Sequence, residues 1–192
     1  MRRALTVASM VATFLASATT AYAADYTIDP THSHIVFMID HLGFAKIVGL
    51  FSTFSGTLSF DPNNVPASKL NVTIKTESLQ TQFGPRDKDL KGADWFNTTE
   101  FPEMTYVGSQ FVKKDEHTGT VTGKLTLHGV AKPVTLDVTV NKVGQNPLDK
   151  INSVGFSARG TLKRSDFGIK AFLGAIGDEV DLIIEIEAKQ KS

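Results

Sequence analysis

The sequence predicts an all-β fold, an eight-stranded antiparallel up-and-down barrel with one short helix between the third and fourth strands. Eight segments alternate apolar and polar residues with a period of two, the pattern of strands with one buried and one solvated face. Turn-forming residues separate these segments, and a single segment has helical spacing instead. Closure of eight amphipathic strands into a barrel removes the exposed edges that an open sandwich would keep.

The first residues have the features of an export signal and are separated from the fold. Two arginines precede an apolar run over residues 4–15, and Ala21-Tyr22-Ala23 has the small-x-small pattern that signal peptidase cleaves. The run is shorter than the roughly 20 apolar residues of a membrane span. We therefore expect residues 1–23 to be a removed signal peptide and residues 24–192 to form a single domain in the periplasm.

The charge balance and the cysteine content limit the classes of partner. The chain has 20 basic and 20 acidic residues, and loss of the two leader arginines leaves 18 basic against 20 acidic residues, a formal charge of −2. A nucleic-acid partner would require a clustered basic face, so this balance argues against one. There is no cysteine, and stability must therefore come from burial and strand pairing without disulfides.

The predicted strands follow one another along most of the mature part. They cover residues 33–41, 47–60, 70–75, 103–111, 121–128, 134–140, 156–162 and 180–187. Phe51 and Phe54 are three residues apart, which breaks the period of two, so a bend or bulge is expected within the second strand. Residues 86–96 carry about one apolar residue per turn and no β-branched residue, and a short helix is expected there.

The inward face of the predicted barrel is almost entirely apolar. Its members are Phe37, Ile39, Phe54, Leu58, Phe60, Ile74, Leu125, Leu136, Phe156, Leu182 and Ile184. A barrel of eight strands is just wide enough either to fill with side chains or to hold one small ligand. The sequence alone leaves both a packed interior and a hydrophobic cavity open.

Polar residues are expected to gather at one end of the barrel. In a meander, every connection after an odd-numbered strand lies at the same end, which here means residues 41–46, 77–102, 129–133 and 163–178. The two long connections are natural candidates for a rim or a lid. The side chains expected around this mouth are His41, Arg86, Trp95, Lys132 and Arg164.

Other chemistry for the polar residues is less well supported. A metal site needs three or four convergent ligands, whereas His32 and His34 fall on one side of a strand and His41 on the other. Arg164 and Asp166 are two apart in a tight turn, where a salt bridge that fixes the loop is expected rather than an acid–base pair. We therefore expect no catalytic residue, no metal and no cofactor.

Several motifs, taken in order, resemble one protein family. The motifs are YTIDPTHSHIVFMIDHLGF (26–44), FSGTLSFDP (54–62), RDKDLKGADWFNTTEFPEMTY (86–106), GKLTLHGVAKPVTLDV (123–138), RSDFG (164–168) and GDEV (177–180). Through them the mature part resembles the YceI family of periplasmic, lipocalin-like proteins over nearly its whole length. The resemblance implies a lipocalin-like eight-stranded barrel whose tunnel holds a long amphiphile.

The resemblance also implies binding or carriage rather than catalysis. Members of the family are associated with polyisoprenoids, isoprenoid quinones and fatty-acid-derived chains, with no established chemistry. We therefore expect a hydrophobic small-molecule ligand in the tunnel, with its head group near the polar residues of the mouth. An enzyme acting on an isoprenoid or lipid, and a ligand-free structural or stress protein, are the alternatives.

The outward face of the first hairpin departs from the family pattern. Family members usually carry polar residues where this chain has Val36 and Met38, and Val48 and Leu50 are also more apolar than expected. We predict a small exposed apolar patch at these positions. It would serve either a homodimer contact or transient docking at a membrane surface.

Overall fold

The computed structural model describes residues 23–191. The strands in this part of the chain pair in one antiparallel sheet that closes on itself. The expected signal peptide lies outside these residues except for Ala23. The elements are β1 (Ala24–Ile28), β2 (His34–His41), β3 (Ala45–Phe51), β4 (Phe54–Phe60), β5 (Lys69–Lys75), β6 (Leu79–Gln80), α1 (Gly84–Lys91), β7 (Glu103–Lys113), β8 (Thr118–Leu127), β9 (Val130–Gln145), β10 (Asn152–Lys163) and β11 (Ile176–Gln190).

The predicted eight-stranded up-and-down barrel is confirmed. Its first three strands are each interrupted, so that β1 with β2, β3 with β4, and β5 with β6 form one barrel strand apiece. The barrel closes because β11 pairs with β10 on one side and with both β1 and β2 on the other. Ile28 lies opposite Ala188, and Ile35 lies opposite Ile184.

The break expected within the second barrel strand is present at Ser52 and Thr53. Phe51 ends β3 opposite Leu79, and Phe54 begins β4 opposite Ile74. Both phenylalanine side chains are buried although they are three residues apart. The two residues between them lie outside both strands, and this break allows both rings to be buried where a continuous strand would have exposed one of them.

The one α-helix among the described residues begins and ends earlier than the predicted residues 86–96. It begins at Gly84, because Pro85 is tolerated in the first turn, where a backbone N–H has no helical partner. It ends at Lys91, and the Gly92 N–H bonds back to the Asp89 carbonyl. Among residues 23–191, no helix is long and apolar enough to cross a membrane.

Strands β8 and β9 meet at a two-residue turn, which is shorter than the predicted connection at residues 129–133. His128 has a φ of 51° and Gly129 a φ of 72°, the pair of left-handed residues that a tight hairpin requires. Strand pairing begins at once with Leu127 opposite Val130. Lys132 therefore lies within β9 and not in a loop, which changes its relation to the barrel mouth.

Candidate ligand-binding tunnel

A cavity of about 1230 Å³ occupies the interior of the barrel. Its wall reaches both barrel ends, with His41 and Trp95 at one end and His117 and Lys142 at the other. The residues between the ends are predominantly apolar. Most small-molecule pockets have volumes of about 300–1,000 Å³. The barrel is therefore hollow, and its interior is a large apolar tunnel with polar ends.

Ten of the eleven residues predicted for the inner face border this cavity. They are Phe37, Ile39, Leu58, Phe60, Ile74, Leu125, Leu136, Phe156, Leu182 and Ile184. The exception is Phe54, which begins β4 directly after the break and is enclosed in the hydrophobic core away from the cavity. Contact of these side chains with a ligand stays a prediction.

Sequence reasoning missed two kinds of lining residue. Ile35, Val121 and Val138 lie on strands in phase with predicted residues, so the period of two could have identified them. Phe96 and Phe172 come from the two long connections, where no periodic pattern marks an inward position. Such residues are brought to the tunnel by the path of the connections alone.

An aromatic cluster narrows the tunnel near α1. The ring centroid of Phe96 lies 5.6 Å from that of Phe51 and 6.5 Å from that of Phe37, and the last two are 5.8 Å apart. Gly49, opposite Phe37, leaves space for the ring, because a Cβ at this position would lie 2.2 Å from the tip of Phe37. The cluster joins the segment after α1 to β2 and β3.

Trp95 joins the two long connections at the mouth. The Arg164 guanidinium carbon lies 5.0 Å from the centre of the Trp95 ring, a cation–π contact. The Phe172 ring stacks on the same tryptophan with centroids 6.4 Å apart. All three residues border the cavity. Contact of Trp95 or Arg164 with a ligand head group stays a prediction.

Arg164 donates its hydrogen bonds to backbone carbonyls in and next to its own loop. Its side chain is buried, and its Nε donates to the Gly177 carbonyl at 2.7 Å. Its Nη atoms donate to the carbonyls of Ile169 at 3.2 Å, Ala171 at 2.8 Å and Ile176 at 3.1 Å. Burial lowers the pKa of the guanidinium from its usual value, against the opposing effect of a nearby carboxylate. Arg164 therefore holds the loop before β11 in shape.

The prediction of a salt bridge between Arg164 and Asp166 is wrong. Asp166 pairs instead with Lys132, whose Nζ lies 3.1 Å from its carboxylate, and both side chains are well exposed. The carboxylate beside Arg164 is that of Asp178, which accepts hydrogen bonds from the Ser165 N–H and hydroxyl at 2.9 and 2.8 Å. Burial raises the pKa of Asp178, but these hydrogen bonds and the positive charges of Arg164 and Lys163 together outweigh it and leave the pKa below its usual value.

Arg86 borders the cavity, but two of its donors are used locally. Its Nε donates to the Thr81 hydroxyl and one Nη to the Thr81 carbonyl, each at 2.7 Å. The adjacent Asp87 accepts the Thr81 N–H at 2.8 Å. The first turn of α1 is thereby fastened to the segment after β6, while three of the five N–H donors of Arg86 are outside these two bonds.

The structure separates the other two residues predicted at the mouth. His41 is exposed at the end of β2, opposite Ile176, and borders the cavity. Lys132 does not border it, although it lies in phase with the lining residues Val134 and Leu136, and its Nζ pairs with Asp166 instead. At the opposite end of the barrel, Lys113 and Lys142 also border the cavity.

The outward apolar residues of the first hairpin lie side by side. Met38 is opposite Val48, and Val36 is opposite Leu50. Val48 is 49% exposed, whereas the other three are half-buried. A role in dimerisation or membrane contact stays a prediction.

One group of side chains has the spacing of a metal site. Possible ligand atoms of Asp29, His32 and Glu187 lie within 4.8 Å of one another. The Asp29 carboxylate, however, already contacts Lys189 Nζ at 3.2 Å and His32 Nδ1 at 3.0 Å. Hydrogen bonds from Thr31 and His32 hold the pKa of Asp29 well below its usual range. These contacts fasten the turn before β2 to β11 and need no metal.

A closed antiparallel barrel with an apolar tunnel along its interior places the protein in the lipocalin-like class of barrels. Within this class, residues 26–188 match the model of the YceI-like domain. The chain belongs to the YceI family.

Two curated relatives support this assignment along almost the full chain. Protein YceI of Shigella flexneri is 44% identical over 182 residues, which cover 94% of each chain. Protein YceI of Escherichia coli O157:H7 shows the same identity and the same coverage. The resemblance inferred from the motifs is thus confirmed.

Solved structures share the fold. The Campylobacter jejuni YCEI protein is 35% identical with a TM-score of 0.71, and the match covers 80% of this chain and 91% of that one. BcnA of Burkholderia cenocepacia is 26% identical with a TM-score of 0.76, covering 83% and 98%. A polyisoprenoid binding domain from Saccharophagus degradans has a TM-score of 0.69 over 89% and 100%; at 16% identity it supports the fold alone.

Proposed function

We propose that this protein is exported to the periplasm, where it binds and carries a long-chain amphiphile in its tunnel. The candidate ligands are a polyisoprenoid, an isoprenoid quinone or a fatty-acid derivative. The observation that carries the proposal is the apolar cavity of about 1230 Å³ inside the barrel. The polyisoprenoid binding domain of Saccharophagus degradans, which has the same fold, is consistent with this class of ligand.

The dimensions of the barrel suit a long chain. Strand β10 has 12 residues. At about 3.3 Å per residue and a tilt of about 40°, such a strand spans roughly 30 Å along the barrel axis. Each methylene group removed from water contributes about 0.8 kcal/mol. Ten buried methylene groups would thus supply about 8 kcal/mol, which corresponds to a micromolar dissociation constant before the costs of association.

We place the head group at the mouth, near His41. Among the described residues that line the cavity, charged side chains lie at the two ends and not along the middle. Arg164 donates four hydrogen bonds to backbone carbonyls, and Arg86 donates two to Thr81. The exposed imidazole of His41 is the better candidate to meet a polar group, through one hydrogen bond to an oxygen.

Analysis of the bound material tests the proposal directly. Protein lacking residues 1–23 is purified, weighed by native mass spectrometry and extracted with organic solvent. We expect a bound long-chain amphiphile that is recovered unchanged after incubation. A chemically altered product would support the enzyme alternative, and protein that neither carries nor takes up such a molecule would contradict the proposal.

A variant that fills the tunnel gives a matched comparison. Ala158 borders the cavity between Val138 and Ile184 of the neighbouring strands. Ala158→Phe places a ring in the tunnel and should reduce the bound amphiphile at least about tenfold, since the ring displaces several methylene groups. Thr139→Phe adds the same ring at an exposed position of β9 and should leave binding unchanged. Equal occupancy in both variants would contradict a ligand in the tunnel.

A further inference from the structure

Five large apolar side chains extend into solvent at the mouth end of the barrel, and we call them the mouth rim. Their exposed fractions are 90% for Phe44, 71% for Phe172, 56% for Phe83, 52% for Leu42 and 43% for Leu173. They come from the turn between β2 and β3, from the residue before α1 and from the loop before β11. Strand order puts all three segments at the same end of the barrel, so the exposed apolar surface surrounds one opening of the tunnel.

The backbone holds part of the mouth rim in place. Leu42 and Phe172 have φ angles of 58° and 52°, a left-handed conformation that is uncommon for large apolar residues. The Leu42 N–H donates to the Ala175 carbonyl at 3.0 Å, which ties the hairpin turn to the loop before β11. The Ile176 N–H donates to the Phe172 carbonyl at 2.9 Å. These apolar side chains are therefore presented by hydrogen-bonded turns.

The opposite end of the barrel differs in composition. Among residues 23–191, its exposed large apolar residues are Val112, Val143, Leu148 and Ile151, none of them aromatic. The described chain also begins and ends there, because Ala24 lies opposite Phe60 and the Lys191 N–H bonds to the Asp25 carbonyl. Exposed aromatic side chains are thus concentrated at the mouth, the end that is free of both described termini.

Basic side chains accompany the aromatic ones. Lys88 on α1 and Lys170 in the loop before β11 are both exposed. Within residues 23–191, neither has a carboxylate at salt-bridge distance. At a membrane surface, phenylalanine and leucine side chains insert at the boundary of the acyl chains, while nearby lysines attract anionic head groups.

We infer that the mouth rim docks on the surface of a lipid bilayer, so that the tunnel opens directly onto the acyl chains. This inference rests on the proposed function, because a bilayer is where a long-chain amphiphile dissolves. Docking would place Phe44, Phe83 and Leu173 in the lipid, although none of the three borders the tunnel. The ligand could then pass between bilayer and tunnel without exposing its chain to water.

The test separates docking from ligand binding. Protein lacking residues 1–23 is sedimented with vesicles of equal parts phosphatidylethanolamine and phosphatidylglycerol. The variants are Phe44→Ser, the double variant Phe44→Ser/Phe83→Ser, and the control Leu148→Ser, which removes a 91% exposed leucine from the opposite end. Uptake of the fluorescent fatty acid cis-parinaric acid is measured in parallel without vesicles, and size-exclusion chromatography reports the oligomeric state.

We expect the double variant to bind the vesicles at least about tenfold more weakly, since burial of one phenylalanine is worth one to two powers of ten in affinity. Phe44→Ser alone should show part of this loss, and Leu148→Ser none, with equal fatty-acid uptake throughout. Failure of the unmodified protein to sediment, or an equal loss in Leu148→Ser, would overturn the inference. Loss of a dimer in the double variant would also overturn it and assign the mouth rim to a second copy. Sedimentation by a protein that neither takes up the fatty acid nor carries an extractable long-chain amphiphile would refute the proposed function and leave docking intact.

Discussion

Replacement of Arg164 by methionine should destabilise the fold far more than it changes the chemistry of the mouth. Methionine keeps an unbranched apolar side chain but removes four hydrogen bonds to the carbonyls of Ile169, Ala171, Ile176 and Gly177. It also removes the cation above the Trp95 ring. The loop before β11 would then lose the side chain that binds these four carbonyls.

The expected loss follows from these contacts. Each backbone carbonyl left without its donor costs about 1–3 kcal/mol where it stays buried. Because solvent can reach some of the four carbonyls, we expect a total loss of about 3–5 kcal/mol. Because a domain of this size loses about 2–4 °C in Tm per kcal/mol, Tm should fall by roughly 6–20 °C. Lys132→Met is the control at the same end, since its exposed ion pair should contribute less than about 1 kcal/mol.

Urea unfolding followed by tryptophan fluorescence measures this loss. Trp95 is the only tryptophan of the chain, and it contacts both Arg164 and Phe172, so its emission reports on the mouth itself. We expect a lower midpoint for Arg164→Met and a nearly unchanged one for Lys132→Met. A loss below about 1 kcal/mol in Arg164→Met, together with a large loss of bound amphiphile, would show that Arg164 serves the ligand and not the loop.

Two further predictions concern the tunnel wall and the buried tyrosines. Gly49→Ala should cost about 1–3 kcal/mol in urea unfolding and reduce bound amphiphile, because the new methyl group pushes the Phe37 ring into the tunnel; unchanged stability and occupancy would contradict this packing. Burial raises the pKa of Tyr106 to about 12 and also raises the pKa of Tyr26, which are the only tyrosines after residue 23. The stability that comes from keeping Tyr106 neutral is fully present below the unfolded pKa of about 10 and is lost as the pH rises toward 12. Ultraviolet titration should accordingly detect little phenolate at pH 10 in the folded protein, and full ionisation there would refute the burial of these hydroxyls.

Strand periodicity predicted most of the tunnel wall because side chains of a strand alternate strictly between two faces. Phe37, Leu136 and Ile184 could be placed on the inner face from their neighbours alone. Arg164 and Trp95 could be assigned to the mouth from the order of connections in a meander. Their bonding partners could not, because hydrogen bonds to backbone carbonyls leave no mark in the identity of the residues that provide them.

The sequence by itself determined the family and the eight barrel strands, and it also indicated which face of each strand points to the interior. These features depend on motifs and on local alternation. Only the tertiary structure decided that the barrel is hollow. The volume of a cavity is a small difference between the space that the strands enclose and the volume of the inward side chains, and it depends on strand tilt, register and rotamers together. Local details of the fold also explain why Phe96 borders the tunnel and Phe54 does not. The path of one connection brings Phe96 to the tunnel, and a break in one strand moves Phe54 away from it.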